Sequence, residues 1–150
     1  MLNWTCKKFA GLSVDELYAV LKLRSEVFVV EQNCVFLDTD NKDQYCHHLM
    51  GWDKNELAAY ARIVPAGISY EESSIGRIVT SRAARREGYG KDLLQHSIEM
   101  LYSLHGNRVI RIGAQYYLKK FYESFGFRQA GDVYLEDGIE HIEMLLSAKA

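Results

Sequence analysis

Hydrophobic and polar positions change their period several times along the chain, and each change marks an element. Leu17, Val20, Leu21, Arg24 and Phe28 recur at helical spacing after "SVDE" at Ser13–Glu16. That tetrapeptide fits a capping box, in which Ser13 and Glu16 satisfy each other's free backbone N–H groups. A first helix is therefore expected from Ser13 to about Val27. "NCVFLDTDNKDQ" follows, acidic and aperiodic, and reads as a long exposed loop. "HHLMGW" and "ELAAYARIV" are strands joined by "DKN", which predicts an antiparallel hairpin. After the loop "PAGISYEESS" comes the short strand "IGRIVT", whose glycine marks a bulge or a close approach to ligand. From Lys91 to Leu104, Leu93, Leu94, Ser97, Ile98, Leu101 and Leu104 trace one helix face. "RVIRIGA" is a strand and "YYLKKFYESF" a helix stopped by Gly126. Asp137-Gly138 then turns a hairpin between extended runs. Neither a repeat nor a linker interrupts the pattern. The reading is one α+β domain over residues 1–150 with a mainly antiparallel sheet.

Composition narrows the picture. With 150 residues, 48% of them hydrophobic and only one proline, the chain can bury a single core. A net charge of −2 supplies no global attraction for nucleic acid. The basic cluster Arg82, Arg85, Arg86 and Lys91 is local, which points to a small anionic ligand rather than a polymer. No apolar run approaches a membrane span of ~20 residues. The opening "MLNWTCKKFAGL" lacks the apolar core of a secretory signal. Cys6, Cys34 and Cys46 are odd in number and show no CxxC spacing, so free thiols in a cytoplasmic setting are expected. Cys46, His47 and His48 are adjacent rather than in spaced pairs, and no metal is expected.

The basic cluster belongs to "SRAARREGYGKDLL", which runs from a strand through a glycine turn into a helix. N–H groups at a helix start lack intrahelical partners and carry the positive end of the dipole. Gly88 and Gly90 let the backbone approach a phosphate with no Cβ in the way. With the arginines they make a cradle suited to a pyrophosphate. The stretch has no GK[ST] ending, and the third glycine of a dinucleotide fingerprint is missing.

Arg85-Arg86-Glu87-Gly88-Tyr89-Gly90 resembles the Arg/Gln-x-x-Gly-x-Gly/Ala signature of the GNAT superfamily of N-acyltransferases. "FYESFGF", Phe121–Phe127, resembles that superfamily's second signature, in matching order and separation. "LRSEVFVVEQNC", "HHLMGWDKNELAAYARIV", "IGRIV" and "EDGIEHIEM" resemble the ElaA group within it, so the likeness covers nearly the whole chain. It implies a GNAT-type fold of about seven strands and about four helices, splayed between the fourth and fifth strands. It also implies acetyl-CoA as co-substrate. The backbone of Ile78, Val79 and Thr80 would hold the pantetheine arm as an added strand does. The turn Arg85, Arg86, Glu87, Gly88, Tyr89, Gly90 and Lys91 would hold the pyrophosphate. Gln115 stands where many relatives have asparagine and would also contact pantetheine.

Tyr122 of the "FY" pair would meet the coenzyme and protonate its departing thiolate. A phenol of pKa ~10 can serve a thiolate of pKa ~8.5 once water is excluded. On the helix, Phe121 and Phe125 share the face that packs on the sheet, and Tyr122 is rotated by about 100° from it. Many relatives place a glutamate base on the fourth strand, but "IGRIVT" carries Arg77 instead. Candidate bases are Glu31, Asp40, Asp43, His48, Glu136 and His141. Glu31 could equally cap, or pair with Arg24 or Arg62, and either histidine could be structural. The acids of "LDTDNKD" and "LEDG" either attract a cationic amine or are solvated loop charge.

The expected reaction moves an acetyl group to a primary amine by direct attack in a ternary complex, polarised by a backbone N–H near Val79. An acyl-cysteine route ranks lower, since no cysteine stands in an activating setting. Two rivals remain: a non-catalytic CoA-binding sensor or interaction module, and a relative of the acyl-homoserine-lactone synthases, to which "LRSEVFVVEQ" is also similar. The acceptor stays open among polyamine, amino acid, aminoglycoside-like and protein amines. Neither nucleic acid nor membrane is an expected partner, and the last hairpin offers an edge for pairing with a second copy.

Overall fold

The capping box forms as its spacing requires: Glu16 N–H donates to Ser13 Oγ at 3.0 Å, and Ser13 N–H to Glu16 Oε1 at 2.8 Å. In this computed structural model, which describes residues 1–150, the box opens α1, Val14–Arg24. A strand that the hydrophobic pattern does not reveal, β1 (Asn3–Lys8), precedes it. β1 lies at a sheet edge with one neighbour, so its outer positions stay polar and blur the alternation. β2 (His47–Asp53) and β3 (Glu56–Val64) form the expected hairpin, and β4 (Ser74–Thr80) pairs antiparallel with β3. A 3-10 segment, Arg82–Glu87, leads to α2 (Tyr89–His105). Then come β5 (Ile110–Gln115), the short α3 (Lys119–Glu123), β6 (Arg128–Gln129), β7 (Tyr134–Glu136) and β8 (Ile139–Leu146). Asp137 and Gly138 both take positive φ, 50° and 78°, as a two-residue hairpin turn demands.

β1 to β4 make one antiparallel sheet in sequence order, while β8 centres a second, with β5 on one side and β6 and β7 on the other. The sheets touch at a single parallel bridge, Ser73 to Ile110, where Arg111 N–H donates to Ser73 O at 3.0 Å. Past that point β4 and β5 part, and the splay lies where the family resemblance expects it. One face of β3 and β4 packs Ala61, Ile63 and Ile75 under Leu94 and Leu101 of α2. The other presents Tyr60 and Val79 to Val20 and Leu23 of α1.

Three expectations change. The first helix does not simply stop near Val27: it continues as a π-helix over Ser25–Glu31, with Gln32 N–H bonded to Val27 O. The second signature is helical only over Lys119–Glu123, and Tyr122, at 5% exposure, is buried more deeply than Phe121 or Phe125. The loop 33–44 is not a solvated excursion, because Cys34, Asp38 and Asp43 are buried within it.

What buries that loop is charge. Arg24, wholly inaccessible, donates from Nε to Asp38 Oδ2 at 2.7 Å and from Nη1 to Asp43 Oδ1 at 2.8 Å. Arg62 clamps both oxygens of Asp40 at 2.8 Å and shares Asp43 Oδ1 at 2.9 Å. Arg77 reaches Asp38 Oδ1 at 2.8 Å and Asp38 O at 3.1 Å. The same residue has φ of 50°, a left-handed conformation costly for any residue with a Cβ inside a strand. It sits at the bulge where β4 slips register against β3, between the pairs Tyr60–Val79 and Arg62–Gly76. Asp38 holds the guanidinium, so the loop's carboxylates secure the bulge.

Burial alone would raise the Asp40 carboxyl, but the hydrogen bonds and charge of Arg62, with Arg77 beyond, hold it at about 2 against an ordinary 3.8. Asp43 is likewise lowered, by Arg24 and Arg62 against its burial. Truncation by Asp43→Ala strands two buried guanidinium N–H groups and is expected to cost about 3–5 kcal/mol in urea unfolding, against ~1 kcal/mol for the exposed cap change Ser13→Ala. Acid gives a second measurement. The unfolded carboxyls bind protons more tightly than these folded ones, so the stability they supply is complete above about pH 4. Denaturant midpoints should fall as pH drops from there through the folded values, and less steeply in an Asp40→Asn variant.

Candidate active site

Between the parted strands a cleft of about 900 Å³ runs from the start of α2, past β4, β5 and α3, to the π-helix and the loop 33–44. Its upper end is backbone. Gly88, with φ of 77°, is the N-cap of α2, and no side chain caps that helix. The first N–H groups of α2 therefore keep their hydrogen-bonding capacity for a ligand. A Cβ at Gly88 or Gly90 would meet nothing within 4 Å, so open space stands over both glycines. Backbone donors, dipole and room together fit a diphosphate.

Of the residues expected to hold a coenzyme, Ile78, Val79, Thr80, Arg85, Gly90, Gln115 and Tyr122 line the cleft. Arg86, Glu87, Gly88, Tyr89 and Lys91 belong to the adjoining turn, outside that lining. Strand alternation distinguishes Val79 from its neighbours. Ser81 N–H donates to Ala58 O at 2.8 Å, and Tyr60 is the register partner of Val79. The backbone groups of Val79 therefore turn toward β3, while those of Ile78 and Thr80 turn toward the gap. The polarising N–H expected near Val79 has to come from one of these neighbours.

Arg85 does not stand free for an anion. Two of its N–H groups grip the carboxylate of Glu31, across the mouth of the cleft from the π-helix. Hydrogen bonding from Arg85 holds the Glu31 carboxyl below its usual range, which makes it a poor base. Its partner is neither Arg24 nor Arg62. Arg82, Arg86 and Lys91 are exposed and form no ion pair, so these three are the available cations of the basic cluster.

The structure separates the remaining base candidates. His48, 1% exposed, lies outside the cleft. Its Nε2 lies 2.9 Å from Asp43 O, a carbonyl that can only accept. Nε2 therefore carries the proton, and Nδ1 accepts from Tyr60 OH at 2.7 Å. Burial lowers its pKa, and with both ring nitrogens engaged this histidine is a structural post rather than a base. Asp40 and Asp43 are paired with the arginines, Asp43 out of the cleft and Asp40 half-buried at its lining. His141 differs. It lines the cleft, its Nδ1–H donates to Ile139 O at 2.8 Å, and its Nε2 is 3.5 Å from Glu136 Oε2. In the neutral ring the lone pair is thus on Nε2.

Tyr122 also lines the cleft, flanked by Phe121 and Phe127 at ring distances of 5.3 and 5.9 Å. Its hydroxyl makes no hydrogen bond within the protein and is not among the fully buried unpaired atoms, so it opens on the cleft. Burial, and then the neighbouring Tyr117, push its pKa well above the usual phenol range, and it stays protonated. Gln115, beside His141 in register, donates from Nε2 to Gln32 Oε1 at 3.3 Å. Cys34 Sγ donates to Asp137 O at 3.1 Å. These two contacts carry the loop 33–44 across to the second sheet, and the sequence pattern signals neither.

A family model described as an acetyltransferase (GNAT) domain matches residues 24–148. Protein ElaA of Escherichia coli K12 is 42% identical over 146 residues, covering 96% of this chain and 95% of its own. The crystal structure of E. coli ElaA superposes with a TM-score of 0.92 at 41% identity, over 98% of this chain and all of that one. An acyl-CoA N-acyltransferase from Pseudomonas aeruginosa gives the same TM-score, 0.92, at 40% identity, with 98% and 100% coverage. A Bacillus subtilis acetyltransferase in complex with CoA shares the fold, with a TM-score of 0.66 at 21% identity over 99% of this chain and 100% of its own.

The ion pair across the cleft mouth has a measurable consequence. Glu31→Gln frees Arg85 for an anion at the turn, and calorimetry should find inorganic pyrophosphate bound about two- to fivefold more tightly. Weaker binding would mean that Glu31 orders the turn instead of competing for it.

Proposed function

The chain belongs to the GNAT acetyltransferase family, and from that premise we propose that it moves an acetyl group from acetyl-CoA to a primary amine by direct attack. The observation that carries this reading is the Tyr122 hydroxyl: protonated, unpartnered and opening on the cleft between parted strands. The uncapped start of α2 beneath Gly88 and Gly90 supports a diphosphate site, with Arg86 and Lys91 as flanking cations. Ile78 and the Thr80 N–H offer gap-facing backbone groups to the pantetheine amides, while Thr80 O accepts from Arg85 at 3.5 Å, and the Gln115 side-chain oxygen adds an acceptor from the opposite strand.

Bound acetyl-CoA supplies an activated thioester carbonyl. A gap-facing N–H of β4 polarises the carbonyl oxygen. As the amine forms its C–N bond and the C–S bond breaks, Tyr122 gives its phenolic proton to the departing sulfur. His141 Nε2 receives the proton that the amine nitrogen loses, and Glu136 beside it stabilises the resulting imidazolium. Bulk water later returns the tyrosine and histidine to their starting states. Cleft walls built from Val27, Phe28 and Phe36 exclude water during the transfer.

Thiol release from acetyl-CoA across a broad amine panel tests the reading. Tyr122→Phe should lower kcat by about a hundredfold or more while coenzyme affinity stays nearly intact. Unchanged turnover would remove Tyr122 from the chemistry. Tight coenzyme binding with no thiol release from any amine would favour a sensor role.

A further inference from the structure

At the closed end of the splay the cleft continues into a smaller, polar pocket of about 400 Å³ that the proposed transfer leaves without a task. Both spaces share Asp40, Lys42, Ile75, Gly76, Arg77, Gly113 and Glu136. Ser74, which begins β4, lines the pocket, whereas the glycine turn follows Thr80 at the strand's other end. A molecule lying in the pocket therefore approaches the gap from the end opposite the diphosphate cradle.

Hydrogen-bond donors collect there. Arg62 is 3% exposed, and although both Nη groups are bound to aspartates, its Nε–H has no partner. Gly76 lies over that nitrogen, and a Cβ on it would come within 4.0 Å of Nε. Tyr70 and Tyr134 bring their hydroxyls over Gly113, where a Cβ would sit 2.7 and 2.9 Å from them. Lys42 lines both spaces, and no carboxylate pairs with its ammonium. The carboxylates are mostly spent. Asp40 is held by Arg62 and Arg77, and Glu143 by Arg111 at 2.8 Å. Glu136, near His141, is the acid left to face a cation.

Glu136 and Lys42 line both spaces, with His141 on the cleft side and the phenols of Tyr70 and Tyr134 on the pocket side, which describes a receptor for a molecule with its cation toward His141 and its anion toward the phenols. A polyamine would bring a second cation to Lys42 and find Asp40 and Glu143 already neutralised.

We propose that the acceptor is a free α-amino acid, its amine beside Glu136 and His141 and its carboxylate held by Lys42 and the phenols of Tyr70 and Tyr134. The inference rests on the reading that an amine is the acceptor. Phe28, Phe36 and Leu37 line the adjoining cleft wall, so apolar amino acids are the fitting probes.

The test is calorimetric titration of protein saturated with coenzyme A. L-leucine and L-phenylalanine are compared with the amines left when their carboxylates are removed, 3-methylbutylamine and 2-phenylethylamine. Each amino acid should bind at least about tenfold more tightly than its amine, because a site built for a polar group rejects the analogue lacking it. Lys42→Met should abolish most of that preference and Lys42→Arg retain it, with coenzyme affinity unchanged in both. Equal or tighter binding of the bare amines, a preference untouched in Lys42→Met, or no binding of either amino acid would overturn the proposal. The readout does not depend on turnover. Selective amino-acid binding without thiol release from any amine would sink the transfer reading and with it the acceptor role of the bound amino acid; turnover of bare amines without preference would sink this proposal alone and spare the transfer reading.

Discussion

Three arginines and three aspartates neutralise one another beneath the loop 33–44, and the site depends on that balance. A lone guanidinium as inaccessible as that of Arg24 would carry a desolvation penalty of several kcal/mol. Paired with Asp38 and Asp43, it instead obliges the loop to fold back onto the sheet. The same aspartates reach Arg62 on β3 and Arg77 on β4, so one network spans the end of α1, the loop and both strands. Arg77 completes it only from a backbone conformation that a strand residue otherwise avoids. The bulge that starts the separation of β4 from its regular path is thus held by electrostatics as well as by hydrogen bonds of the ladder.

That arrangement divides the cleft into ends of different character. At the glycine end the proposed contacts come from main-chain N–H groups and a helix dipole, which depend little on side-chain identity except at Gly88, whose φ of 77° favours glycine. At the other end they come from side chains of the loop and of the last hairpin. A coenzyme that every family member shares suits the first, and an acceptor that differs among them suits the second. Between the ends stand Tyr122 and His141, on α3 and β8.

The network also explains why Arg77 can stand where many relatives have a carboxylate. Here β4 contributes a cation to structure, and the proposed reaction accordingly takes its proton acceptor from the second sheet. His48 illustrates the same economy. Its position among Asp43, Tyr60 and Arg24 gives it a full complement of hydrogen bonds and no exposure, so a histidine near neutrality in peptides becomes a strut.

Local chemistry made much of the molecule legible from its residues. The Ser13–Glu16 box, the hairpin of β2 and β3, the amphipathic α2, the Asp137-Gly138 turn and the glycine cradle are each specified within a few neighbouring positions. Short-range rules of φ, capping and period apply to them directly. What the residues alone left open were relations between distant positions. Which carboxylates are spent is one: Asp38 with Arg24 and Arg77, Asp40 with Arg62, and Glu31 with Arg85, at separations of 14 to 54 residues. The left-handed Arg77, the edge strand β1 and the two phenols over Gly113 are others. Charge pairing and burial are properties of packed neighbours in space, and a linear pattern carries no record of them until the chain has closed.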